Sequence, residues 1–404
     1  MKKSLFILLI FMLNLFACNL FDDMDIGSPQ AYSFIKFFTT YPVFKGADVK
    51  QIDGSGYAIL GTVESFTDGT QMCLIRTDEF GNTFNGDSAR YYGRALDDNA
   101  YCLQVLADGG FAILGSSQNP QNEKLEVYFI RTNSQGDTLW TRTISGDGDI
   151  EAYHFEVNQD GSFYLTGYSE VSNINTDKQI WLFALESTGK NLWPIPREYG
   201  GNKDDVGKYL QILSDGRLVI TGYTRSYPYG TLNNQAFVLK TNNIGLSGTF
   251  REIKSTAEQE GSCIRALDEN NFLVIGTTKS LTSSTGYDIM LRKISLIITE
   301  SDNQWEKTFG GIGNDYGKRV IVRGNSIYLL GTITSANINS SITLITTDLN
   351  GNNERYSNFG LGTQLSCSSF ENTSDKGFII TGTNKYSESS SSVALIKTKT
   401  DTSL

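Results

Sequence analysis

Tyr57-Ala58-Ile59-Leu60-Gly61 returns 54 residues later as Phe111-Ala112-Ile113-Leu114-Gly115. Five more copies follow: Phe163-Tyr164-Leu165-Thr166-Gly167, Leu218-Val219-Ile220-Thr221-Gly222, Phe272-Leu273-Val274-Ile275-Gly276, Ile327-Tyr328-Leu329-Leu330-Gly331 and Phe378-Ile379-Ile380-Thr381-Gly382. The closing glycines are 54, 52, 55, 54, 55 and 51 residues apart. A short apolar run bounded by turn residues is a buried strand, and self-similarity at one period signals a repeat architecture.

Each repeat divides into four short strands. The first leads into a turn such as Asp108-Gly109, Asp160-Gly161 or Asp215-Gly216, which suits a tight hairpin because glycine accepts positive φ. The quoted motif is the second strand. A polar loop of about ten residues precedes the third, as in Tyr128-Phe129-Ile130-Arg131 and Ala394-Leu395-Ile396-Lys397. A second turn (Asn133 to Gly136, Ser187 to Gly189, Asp348 to Gly351) opens a fourth strand, often aromatic: Trp140, Trp193, Phe250, Trp305. The fold class is therefore all-β, a seven-bladed β-propeller of four-stranded blades. One blade cannot cover both its faces, so its neighbours must. The seventh repeat lacks a fourth strand, while Phe34-Ile35-Lys36-Phe37-Phe38 stands unassigned before the first. This N-terminal strand is predicted to complete the last blade and so hide an open edge.

The stretches Tyr199-Gly200-Gly201-Asn202-Lys203-Asp204-Asp205 and Phe309-Gly310-Gly311-Ile312-Gly313-Asn314-Asp315 resemble the tandem propeller repeats of secreted Bacteroidetes proteins. The resemblance spans roughly residues 43–398 and implies a fold, not a ligand.

Met1-Lys2-Lys3 and the apolar run Leu5 to Phe16 read as a signal peptide too short to span a bilayer. Leu15-Phe16-Ala17-Cys18 resembles a bacterial lipobox, with Phe16 bulkier than the usual residue. That resemblance implies residues 1–17 as signal, Cys18 as the lipidated residue, 18–30 as tether and 31–404 as propeller. It also implies a membrane attachment through two or more acyl chains, each buried CH₂ contributing roughly 0.8 kcal/mol. Asn19 in place of Asp favours the outer membrane. The acidic stretch from Leu20 to Asp25 resembles the surface-export signal of Bacteroidetes-type lipoproteins and implies the cell surface of a Gram-negative bacterium.

The 404 residues carry 34 Lys and Arg against 44 Asp and Glu, a formal charge of −10. That argues against a nucleic-acid partner, which needs clustered cations. The single histidine, His154, removes most acid–base and zinc chemistry, and it is expected to be a packed residue. Cys73, Cys102, Cys263 and Cys367 fall on strands of different blades and are expected to be buried free thiols. No cofactor, metal site or catalytic residue is assigned, and the body is expected to be monomeric.

Two sets of residues invite a functional reading. Asp98, Glu151, Asp205, Glu260 and Asp315 fall near the start of successive innermost strands and are expected to ring the channel mouth. Such a ring could hold a cation such as Ca²⁺; the preferred alternative is that each acid binds nearby backbone N–H groups and fixes a blade crossing. The second set is Tyr223, Arg225, Tyr227 and Tyr229, on one loop of blade 4, where tyrosine and arginine suit contact with a glycan or protein. The second turns, such as Thr77 to Asn82, resemble the Asp-box turns of sialidase-type propellers, which are structural hairpins. A sialidase would also need an arginine triad and a tyrosine nucleophile, and Arg94, Arg131, Arg225, Arg265 and Arg319 show no pattern that assigns one. The expectation is a lipid-anchored envelope binding module for a glycan or an envelope protein. The alternatives are a periplasm-facing assembly scaffold and a carbohydrate-active propeller enzyme.

Overall fold

Every repeat becomes one four-stranded antiparallel sheet, and the seven sheets form a ring. The computed structural model describes residues 32–39, 41–52, 54, 56–64, 69–84, 89–94, 96–170, 177–226, 233–279, 286–297, 304–335, 339–360 and 364–404. The expected signal peptide and tether, including Cys18, lie outside them. No helix occurs among the described residues, so none is long and apolar enough to cross a membrane.

The innermost strands of blades 1 to 7 are Phe44–Ile52, Asp98–Val105, Ile150–Val157, Asp205–Ile212, Gln259–Ala266, Tyr316–Arg323 and Leu365–Asn372. They touch one another around the ring and wall its central channel. Six blades take their outermost strand from their own repeat. In blade 7 that place belongs to Phe34–Phe38, which pairs with Ser390–Lys397 from Phe34↔Lys397 to Phe38↔Val393. The predicted closure is therefore present.

The core lies between blades. Phe111 and Ile113 of blade 2 pack with Leu60 and Leu74 of blade 1, and Phe155 and Phe163 of blade 3 pack with Phe129 and Leu114 of blade 2. Phe44 and Ile59 of blade 1 meet Ile379 and Leu395 of blade 7. Each such fully buried side chain contributes about 1.5–3 kcal/mol. The outer aromatics form a second inter-blade layer. The Trp140 ring of blade 2 covers Gly189 of blade 3, and Trp305 of blade 5 covers Gly351 of blade 6. Tyr92 and Tyr199 donate hydroxyl hydrogen bonds to the Gly136 and Gly245 carbonyls of the next blade, both at 2.6 Å. Trp193 plays the same part against Gly245, but it precedes the strand Arg197–Tyr199 instead of lying on it.

One irregularity recurs in all seven innermost strands. The pairing slips by one residue after Gly46, Ala100, Ala152, Gly207, Gly261, Gly317 and Cys367. Such a bulge bends the strand and redirects its side chains. It also accounts for the glycine that marks each repeat. The bulged strand carries its carbonyl against the second strand, so a Cβ built on Gly167 would land on the Glu151 oxygen and one on Gly222 on the Val206 oxygen.

Candidate functional site

The bulge decides which residues face the channel. The extra residue in each blade is Ala47, Tyr101, Tyr153, Lys208, Ser262, Lys318 or Ser368, and all seven line one basin of ≈ 800 Å³ at the channel mouth. The next residues are Asp48, Cys102, His154, Tyr209, Cys263, Arg319 and Ser369. All but Arg319 are buried. They form a constriction, beyond which lies a second cavity of ≈ 320 Å³ lined by Lys50, Gln104, Glu156, Arg265 and Glu371 among others. Arg319 lines both spaces.

The constriction ties blades together. The Leu103 N–H donates to Asp48 Oδ2 at 2.9 Å, and the Leu210 N–H to His154 Nδ1 at 3.4 Å. The His154 ring stacks on Tyr209, with centroids 3.7 Å apart. The guanidinium groups of Arg319 and Arg265 lie 4.7 and 5.4 Å from the Tyr209 ring centroid. Burial, then the charges of Arg319, Lys50 and Arg265, hold the imidazole pKa well below its usual value. Burial pushes the Asp48 carboxyl up, but Lys50, Arg319 and hydrogen bonds from Ser369 and Leu103 outweigh it, so its pKa falls. Burial pushes Glu156 up against the opposing charge of Arg265. This is the packed role expected for His154.

The five acids expected at the mouth do not share one register. Asp98, Asp205 and Asp315 stand two residues before the glycine or alanine that precedes the bulge, whereas Glu151 and Glu260 stand one before. Strand alternation sends the two groups to opposite faces. The three aspartates are buried and bind backbone. Asp98 accepts from the Arg94 N–H at 2.6 Å, Asp205 from Gly201 at 2.9 Å, and Asp315 from Gly311 at 2.6 Å and Thr334 at 2.7 Å. Each thereby fixes the chain that enters its blade, the structural alternative weighed for them. Glu260 pairs with Lys208 at 3.1 Å. Glu151 receives the hydroxyls of Tyr101, Tyr153 and Tyr168, the last two at 3.0 Å. Among the described residues no three His, Cys, Asp or Glu side chains are placed to hold a metal.

Of the loop residues, Tyr223 is half-buried, with Lys208 Nζ 5.8 Å from its ring centroid. Arg225 is anchored at the loop base, pairing with Asp204 at 3.2 Å and donating to Asn234 Oδ1 at 2.6 Å. Tyr227 and Tyr229 lie outside the described residues. The second strand, Leu218–Thr224, ends at the same end of its blade as the basin. The second turns lie on the opposite face and are the expected hairpins. Asp78 Oδ1, for example, accepts the Phe80 and Asn82 N–H groups at 2.9 and 2.7 Å.

The arginines divide in the same way. Arg94 pairs with Glu126, Arg131 with Asp108 and Arg225 with Asp204, all within blades or their connections. Only Arg265 and Arg319 meet, around Tyr209. Burial and the Glu151 charge push the Tyr101, Tyr153 and Tyr168 hydroxyl pKa values up, the opposite of what a nucleophilic phenolate needs. The missed feature is basic. Lys45, Lys208, Lys318 and Arg319 line the mouth with one acid, Glu260, among them. Part of the signal for it lay at the bulge, where Lys208 and Lys318 stand; Arg319 follows the bulge and Lys45 precedes it.

The chain is thus a seven-bladed β-propeller, and solved structures agree on the fold. YCF48 bound to D1 peptide shares 13% identity at a TM-score of 0.51, covering 92% of this chain and 98% of that one. The β-propeller domain of the Trilobed protease from Pyrococcus furiosus shares 10% at 0.51, covering 89% and 94%. YCF48 from Cyanidioschyzon merolae shares 9% at 0.51, covering 91% and 99%. Further matches with lower scores include an acylaminoacyl peptidase from Pyrococcus horikoshii and a thermostable family-43 glycoside hydrolase. No protein-family model matches this sequence. No curated protein matches it either.

Proposed function

We propose that this chain is a non-catalytic binding module held at the outer membrane by a lipid on Cys18, and that the channel-mouth face receives a protein ligand. The observation that carries this reading is the basin of ≈ 800 Å³ to which every blade contributes a side chain at its bulge. A closed ring makes such a basin rigid, and a rigid concave polar site spends little entropy on ordering itself when a ligand binds. The tyrosine hydroxyls around Glu151 all donate to its carboxylate, and their raised pKa values favour binding over nucleophilic chemistry. Within the expected choice of glycan or protein, a propeller of this size bound to a peptide supports the protein.

A photo-crosslinking amino acid at position 366, exposed at the basin, tests the face in living cells. It is expected to give an adduct with an envelope protein, and the same probe at position 134, in a turn of the opposite face, is expected to give none. Equal adducts from both positions, or none from 366, discard the reading. Cys18→Ala is expected to move the chain from the membrane pellet to the soluble fraction; retention in the pellet discards the anchor.

A further inference from the structure

Four cationic side chains face one basin in a protein whose formal charge is −10. Their pairing differs. Lys208 is matched by Glu260 at 3.1 Å. Lys45 and Lys318 are exposed and make no hydrogen bond or ion pair among the described residues. Arg319 is half-buried, stacks on Tyr209 and likewise has no hydrogen-bond acceptor among them. A guanidinium carries five N–H donors, and a half-buried one without an acceptor is costly unless water or a ligand supplies it. Glu151, the other acid beside the basin, is closed off by three tyrosine hydroxyls. Arg319 shares the charge of buried Asp48 with Lys50, so the cations without an acid partner, Lys45 and Lys318, stand with it in one sector. Lys318 and Arg319 of blade 6 and Lys45 of blade 1 flank Ser366 and Ser368 of blade 7.

We propose that this sector is an anion site that takes an acidic peptide segment, an inference that rests on the channel mouth being the binding face. A concave wall of low dielectric focuses the field of its charges, so an anion is drawn to the basin despite the acidic remainder of the surface. The cations stand on two blades with a third between them, an arrangement for successive carboxylates along an extended chain. Lysines on flexible stems follow carboxylates of varied position, and the arginine beneath them offers a planar fork to one. The aromatic rings argue against a sugar in the same place. Tyr101 and Tyr153 lie edge to face with centroids 5.2 Å apart, Lys208 covers Tyr153 at 4.9 Å, and Tyr316 is stacked with Tyr287. These rings are already engaged with one another or with Lys208, which leaves them less open to a sugar ring.

Fluorescence anisotropy with labelled hexaglutamate tests the assignment at low ionic strength. The full chain is expected to bind hexaglutamate and to release it as salt is raised. Lys45→Ala combined with Lys318→Ala is expected to weaken binding at least tenfold. Lys190→Ala combined with Lys399→Ala, which removes the same charge elsewhere, is expected to leave it unchanged. Hexaglutamine is expected not to compete. The proposal is overturned if hexaglutamate does not bind, if both double variants bind it equally, or if oligogalacturonate binds more tightly than hexaglutamate. A cross-link from position 366 alongside any of these results removes the anion assignment and leaves the binding face; loss of both removes both.

Discussion

His154 lies flat against Tyr209, the planes 23° apart, and its Nδ1 accepts the backbone N–H of Leu210 in the next blade. The pair lies in the constriction beneath the basin, and it sets the acid limit of the ring. Protonating His154 would place a fourth cation beside Arg319, Lys50 and Arg265 in a buried setting. The folded-state pKa is depressed, so the unfolded chain takes up this proton first. The contribution of His154 to stability is therefore complete above the ordinary imidazole value of 6.5 and is lost as pH falls below it. Glu156, whose pKa burial raises, acts with the opposite sign, so the variant must be compared with the parent. His154→Gln is expected to flatten the dependence of unfolding free energy on pH between about 6.5 and 5, as read by urea titrations at each pH. An unchanged slope would show that His154 is solvated.

Closure by Phe34–Phe38 makes the N-terminal strand part of the last blade. Phe34 packs edge to face with Tyr57 of blade 1 at 6.2 Å, and Ile35 packs with the blade 6 and 7 core. Deleting residues 31–42 exposes the edge of Ser390–Lys397 and uncovers both contacts. The deletion is expected to replace one cooperative thermal transition by a broad, early one and to promote aggregation through the open edge. A melt identical to the parent's would show that the ring does not depend on this strand.

The repeat glycines are steric, and Gly167 is the sharpest case. Gly167→Ala is expected to cost on the order of 3 kcal/mol, because neither the Glu151 carbonyl nor Ala152 can withdraw from a bulged, paired strand. Gly311→Ala is the control, since nothing lies within 4 Å of its Cβ position. Chemical denaturation of both variants reads the difference; equal midpoints would remove the close approach as the reason for the motif.

The four cysteines of the blades are buried and free. Burial pushes Cys73 and Cys102 up to about 12 and Cys367 up to about 11. Thiolate is the reactive form, and burial shields all four from the reagent, so all four are expected to resist Ellman's reagent at pH 8 in the folded chain and to react together in guanidinium. Rapid reaction of one thiol in the native state would identify a blade that opens locally.

Much of this architecture was legible in single residues. The seven glycines gave the number of blades, the alternating runs gave the strands, and the orphan run from Phe34 to Phe38 gave the closure. These features are local, since a strand's period and a hairpin's turn depend on neighbours in sequence. The acids at the mouth were misaligned because an offset of one residue exchanges the faces of a strand, and nothing in Asp98 or Glu151 alone shows how far before the bulge it stands. The basic mouth was hidden for the same reason. Lys45, Lys318 and Arg319 are hundreds of residues apart in part, and only ring closure brings blade 1 beside blade 7 and blade 6.

The sequence by itself determined the blade, its repetition and its need for neighbours, because burial of a two-faced sheet is dictated by composition and period. The tertiary structure alone decided the channel: seven bulges turn one residue per blade into a common basin, and the charge gathered there follows from the register of strands that never meet in sequence.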